Sequence, residues 1–66
     1  MSQFVLLEDK DHEYYAGKNY IYQGEYFPAL CRKEQAKIYS SRKRAENAAE
    51  AVGNRTGVTF RVIELT

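Results

Sequence analysis

The sequence predicts a small α+β fold: a βββαβ chain with a four-stranded, mostly antiparallel sheet of order 3-2-1-4 and one helix, about 41–52, on one face. Three observations carry it. Residues 4–7 (Phe4, Val5, Leu6, Leu7) are an unbroken apolar run, as in a strand covered on both sides. Ala45, Ala48, Ala49 and Val52 recur at helical spacing along one stripe. Val58, Phe60 and Val62 alternate with Thr59 and Arg61, the period of a half-buried strand.

The elements follow in order. The apolar run ends at the charged stretch 8–13, a polar turn. Tyr14, Tyr15, Tyr20, Ile21 and Tyr22 supply the strand-forming residues of the second strand, and Gly17 inside it marks a bulge or bend. Gln23, Gly24 and Glu25 make the next turn. Pro28 cannot donate to a ladder, so residues 26–31 belong at a sheet edge or in a loop. Residues 36–39 look strand-like, and the pattern leaves open whether 26–39 is one broken strand or two pieces. Ser40 and Ser41 are N-cap candidates, and Gly53, beside Asn54, is the expected left-handed stop. The helical stripe is mostly alanine, so the sheet's aromatic residues must fill the space beneath it. A helical crossover then returns the last strand parallel to an earlier one, placed beside the first.

All 66 residues make one domain, 1–66, with no repeats. A chain of this size buries only about 60% of its unfolded surface, and its core rarely supplies more than about 3–5 kcal/mol. Six Tyr and three Phe favour an aromatic core as the remedy, with oligomerisation as the other route, so a monomer or a homodimer is expected. No run approaches the roughly 20 apolar residues of a membrane span or the 7–15 of a signal-peptide core. Together with the lone Cys31, this sets the expectation of a cytoplasmic protein without membrane contact.

Charge is unevenly placed although the net is +1. Residues 1–25 hold Glu8, Asp9, Asp11, Glu13 and Glu25 against Lys10 and Lys18. Residues 26–44 hold Arg32, Lys33, Lys37, Arg42, Lys43 and Arg44 against Glu34 alone. Arg42, Lys43 and Arg44 fall in the first helical turn, where the helix dipole favours acidic residues by about 0.3–1 kcal/mol each. Free amides, serine hydroxyls and cations together suit a phosphate or carboxylate; the plainer reading is a solvated helix end, with Arg42 leaning on Glu46. The candidate partner- or anion-binding residues are therefore Arg32, Lys33, Lys37, Tyr39, Ser41, Arg42, Lys43 and Arg44. The six tyrosines exceed what the interior can hold, so some cover the helix or sheet edges, or form an aromatic surface for a protein or for nucleic-acid bases.

Catalytic and metal readings are weak. Asp9, Asp11, His12 and Glu13 lie in one turn, where neighbouring side chains diverge, and they match no metal-loop spacing. Cys31 reads as a small apolar residue, and a Cys31–His12 pair has no third group to support it. No catalytic residues, no metal and no cofactor are expected, and no enzymatic activity.

The short first strand, the Tyr15-Ala16-Gly17 step, residues 36–39 running into Ser40, Ser41 and an Ala/Glu helix, and the closing strand 58–65 together resemble small accessory proteins of bacteriophages and prophages. That resemblance implies a binder without enzymatic activity, of the kind that blocks host defence by occupying a site on a host protein. It transfers no catalytic signature. The expected function is thus a protein-binding module, a phage-type accessory or inhibitor in the host cytoplasm; the alternative is a weak nucleic-acid binder using the basic residues 32–44.

Overall fold

In the computed structural model, which describes residues 2–65, the strand β1 (Phe4–Glu8) lies inside the sheet with Phe4, Val5 and Leu6 all buried. It is followed by β2 (Tyr14–Tyr22) and β3 (Glu25–Cys31), a single 3-10 turn (Lys33–Gln35), the helix α1 (Arg42–Thr56) and β4 (Phe60–Glu64). The sheet order is β3-β2-β1-β4, as the hydrophobic pattern predicts. Phe4, Leu6 and Phe60 face the helix and pack with Tyr15, Ala45 and Val52. Ala45 has no exposed surface, so the helix backbone comes close to the sheet and the aromatic rings fill the remaining volume. Tyr15 and Phe60 meet at a ring-centroid distance of 5.5 Å.

The last strand runs opposite to the direction expected. β4 is antiparallel to β1, with Phe4 opposite Glu64 and Glu8 opposite Phe60. The reason lies in residues 36–39. β3 ends beside the start of β2, where Cys31 is paired with Tyr14, and Tyr14 in turn faces Leu7. A helix starting there would have returned β4 parallel to β1. Instead the chain first passes back between β2 and β1: the Lys37 N–H donates to the Tyr15 carbonyl of β2 at 3.0 Å, and Tyr39 exchanges two backbone hydrogen bonds with Phe4 of β1 at 2.8 and 3.0 Å. This extra pass carries the chain to the opposite end of β1, so α1 and β4 both run in reverse. It also settles residues 26–39 as one strand, a 3-10 turn and an extended segment bridged to β1.

The helix also runs past the expected stop at Gly53. Ser41 caps its start, its hydroxyl accepting from the Arg44 N–H at 3.2 Å. It ends at Gly57, whose φ of 77° places it in the left-handed region. Thr56 helps the termination: its hydroxyl donates to the Val52 carbonyl and accepts from the Val58 N–H. Gly53 serves packing, since a Cβ there would stand 3.3 Å from the Val58 carbonyl oxygen.

Two other glycine-dependent features follow the sequence. The β2–β3 register shifts between Tyr15 and Asn19, around Gly17 at φ 94°. Gln23 and Gly24 both have positive φ, the two-residue turn that suits a twisted hairpin. Pro28 lies in the edge strand β3. The turn after β1 is built around Glu8, whose buried carboxylate accepts from the backbone N–H groups of Lys10 and Asp11.

Ala45→Asp is expected to abolish cooperative folding, because an unpaired buried carboxylate costs as much as the whole stability available to such a core. Ala51→Asp, at an exposed position of the same helix, should leave thermal melting within a few degrees of wild type. Circular dichroism melts compare the two; equal melting would place the wrong face of the helix against the sheet. Gly17→Ala should cost about 1–3 kcal/mol in urea unfolding, from the positive φ and from a Cβ placed 3.1 Å from that of Lys37.

Candidate functional site

The structure divides the basic segment. Arg42 is engaged locally: its guanidinium sits 5.2 Å from the centroid of the Phe4 ring and 3.8 Å from the Glu64 carboxylate. Lys43 is exposed on the helix. Arg32 and Lys33 lie at the 3-10 turn that follows β3. Lys37, Tyr39 and Arg44 do come together. With Ile38, Ser40 and Asn47 they line an open groove of roughly 400 Å³ between the extended segment and the first turns of α1. Lys37 reaches this position by crossing Gly17, where its side-chain carbons pass within 3.2 Å of the space a Cβ would occupy. The Ser41 hydroxyl is occupied by its cap to Arg44.

The acidic turn is structural. Glu8 holds the turn backbone, and Asp9 accepts from Arg61 of β4 at 2.7 Å. Among the described residues, no three His, Cys, Asp or Glu side chains converge as a metal site. Cys31 is half-buried, and burial, followed by the nearby Glu13 carboxylate, raises its thiol pKa above the ordinary value. That keeps the thiol protonated and a poor nucleophile.

A second surface carries four of the five large exposed hydrophobic side chains among the described residues, the fifth being Ile38 in the groove above. Tyr20, Ile21, Tyr22 and Tyr26 are 53, 61, 61 and 40% exposed. They cluster at the end of the β2–β3 hairpin and occupy both of its faces. Tyr20 stands opposite Phe27 with the rings stacked at 5.6 Å, while Ile21 stands opposite Tyr26 on the other side. Arg55, in the last turn of α1, lies 5.1 Å from the centroid of the Tyr26 ring. On the Tyr20 and Phe27 side, the hairpin, the Glu8 turn and residues 57–59 enclose an open groove of roughly 460 Å³. The sequence pointed to exposed tyrosines without saying which. The usable signal was Tyr20, Ile21 and Tyr22 in succession before a two-residue turn: consecutive strand residues face opposite ways, and one short helix covers only one face.

Comparison with known proteins gives no match to any family model, curated protein or solved structure.

Two tyrosines tie the site to the core. Burial raises the pKa of Tyr15 above the usual value near 10, and burial followed by proximity to Tyr15 does the same for Tyr39. The unfolded chain therefore loses these protons first. The stability associated with both groups is complete below the unfolded pKa and is lost as pH rises from there through the folded values. Melting temperature is expected to hold to about pH 9 and to fall above pH 10. Tyr39→Phe should flatten that fall. Identical alkaline profiles for wild type and Tyr39→Phe would contradict the assignment.

Proposed function

We propose that this protein is a non-enzymatic binding module that docks onto a protein partner through the tip of its β2–β3 hairpin. The observation that supports this is the cluster of four large exposed apolar side chains between Tyr20 and Tyr26. Large exposed apolar side chains gathered at one hairpin end mark interaction sites, and tyrosine beside arginine is the composition enriched where binding energy concentrates. Tyr26 under Arg55 has that composition. The hairpin is held by a tight turn and cross-strand aromatic pairing, so its side chains lose little freedom on docking. The finer reading is a phage-type accessory or inhibitor acting in the host cytoplasm on a host protein; it rests on the sequence resemblance. The groove of Lys37, Tyr39 and Arg44 favours a second reading, weak binding of nucleic acid or another anion, because two cations and a half-buried tyrosine line it together.

The test is affinity capture from the source cell with three proteins: wild type, Ile21→Ser/Tyr22→Ser, and Lys37→Ala/Arg44→Ala. The hairpin variant is expected to keep its fold and lose its captured partner by at least about tenfold, while the groove variant loses far less. Salt-titrated binding to single-stranded and duplex nucleic acid runs alongside. Undiminished capture by the hairpin variant would defeat the docking proposal. Micromolar, salt-sensitive nucleic-acid binding abolished in the groove variant would establish the second reading instead.

A further inference from the structure

The two edges of the sheet are treated differently. At the β3 edge, Pro28 removes a backbone donor, a common protection against edge-to-edge pairing. The β4 edge carries no proline, and its five residues pair with β1 in unbroken register. The Leu65 N–H donates to the Gln3 carbonyl at 2.8 Å, which fixes the alternation along the strand. Leu65, Ile63 and Arg61 turn their backbone groups toward β1, so Phe60, Val62 and Glu64 turn theirs outward. Among the described residues, nothing bonds to these outward groups. They are spaced symmetrically about Val62.

We infer that β4 pairs antiparallel with β4 of a second copy of this chain, about a two-fold axis through Val62 and perpendicular to the sheet. In this register Val62 faces its own counterpart and Phe60 faces the second copy's Glu64, giving about six main-chain hydrogen bonds. Corresponding residues keep the same face, so the helices of both copies lie on one side of a continuous sheet.

The helix flank above this edge supports a second copy over an unrelated strand. Arg42 stands over the Glu64 end of β4. Glu50 stands over the other end, sharing a groove of roughly 360 Å³ with Ala49, Gly53, Asn54 and Phe60. The flank is thus basic at one end and acidic at the other. The two-fold exchanges those ends, bringing the Arg42 of each copy toward the Glu50 of the other. Ala49 and Gly53 leave room in the groove for the incoming Glu64 and Arg42. The two helices run antiparallel across the axis, so the basic first turn of each approaches the carboxyl-terminal half of the other, where the dipole favours cations. With a net charge of +1, the copies repel one another little.

Sedimentation equilibrium of the full chain over a concentration series tests this. The expected mass is that of two 7.7 kDa copies, reverting to one on dilution. Glu64→Pro removes an outward N–H without touching the β1 ladder and should weaken association by at least about tenfold. Arg42→Glu and Glu50→Arg should each weaken it by a similar factor, and the double variant should restore it. If Glu64→Pro alters the circular dichroism spectrum, the charge pair decides alone. A single-copy mass up to about 1 mM overturns the inference. So does a two-copy mass indifferent to these variants, or one that the double reversal fails to restore.

Discussion

Strand β1 must be covered on both faces and bonded on both edges, and the rest of the structure is arranged to do this. Its outer edge is completed by β4 along its whole length. Its inner edge is shared: Tyr14 takes the Leu7 end and Tyr39 takes the Phe4 end. Phe4 shows the dependence best. Its backbone bonds to Tyr39, it stands opposite Glu64, and its ring lies beneath Arg42. The connection from β3 to the helix is therefore an element of the sheet. Because it is fixed to β2 at Lys37 and to β1 at Tyr39, both residues are placed beside Arg44, and the groove they line depends on the same hydrogen bonds as the core.

Strand order and helix face were legible in the sequence because burial patterns carry them. A run of four apolar residues has to be central, a strand with proline has to be at an edge, and an alanine stripe has to face something larger. Strand direction was not legible in the same way. It depended on whether residues 36–39 crossed the sheet before the helix began, and four residues with one small and one aromatic buried group do not encode that. The helix stop failed for a different reason. Gly53 and Gly57 both offer a left-handed end, and the choice was made by tertiary contact: Gly53 allows the Val58 carbonyl to approach, while Thr56 closes the last turn. The candidate site was legible only in part. Lys37, Tyr39 and Arg44 converge, whereas Arg42 is drawn to Phe4 and Glu64 by packing that charge counting cannot register.

The hairpin poses a question of stability as much as of binding. A core of this size has little free energy to spare, yet Tyr20, Ile21, Tyr22 and Tyr26 contribute little burial where they stand. The bend at Gly17 is part of the cause. It breaks the β2–β3 register, and beyond it Tyr20, Ile21 and Tyr22 of β2 stay exposed while Pro28 of β3 is buried. Tyr20 stacks on Phe27 and Tyr26 lies beside Arg55, but polar residues at Ile21 and Tyr22 would have served the fold equally well, since the two-residue turn specifies the hairpin without them. It is their apolar character that the docking proposal accounts for.

The cations of the first helical turn extend the same argument. Among the described residues of one copy, Arg42 is the cation of this turn that is tied down, and Lys43 and Arg44 are exposed at an end of the helix where positive charge is disfavoured. An antiparallel neighbour across the β4 edge changes that balance, because the acidic flank and dipole of one helix then face the basic turn of the other. In sheet order β3 and β4 are the two edges, with β2 and β1 between them. Pairing at β4 would therefore give one joined sheet with two hairpins, each tip lying over the end of its own helix beside Arg55 and residues 57–59. Two modest aromatic surfaces held in this way reach a partner that offers two sites, or a symmetric one, far more tightly than either alone. The second contact then forms at an effective concentration set by a rigid sheet rather than by a flexible linker. A chain too small to build one large interface would in this way gain reach by repeating a small one.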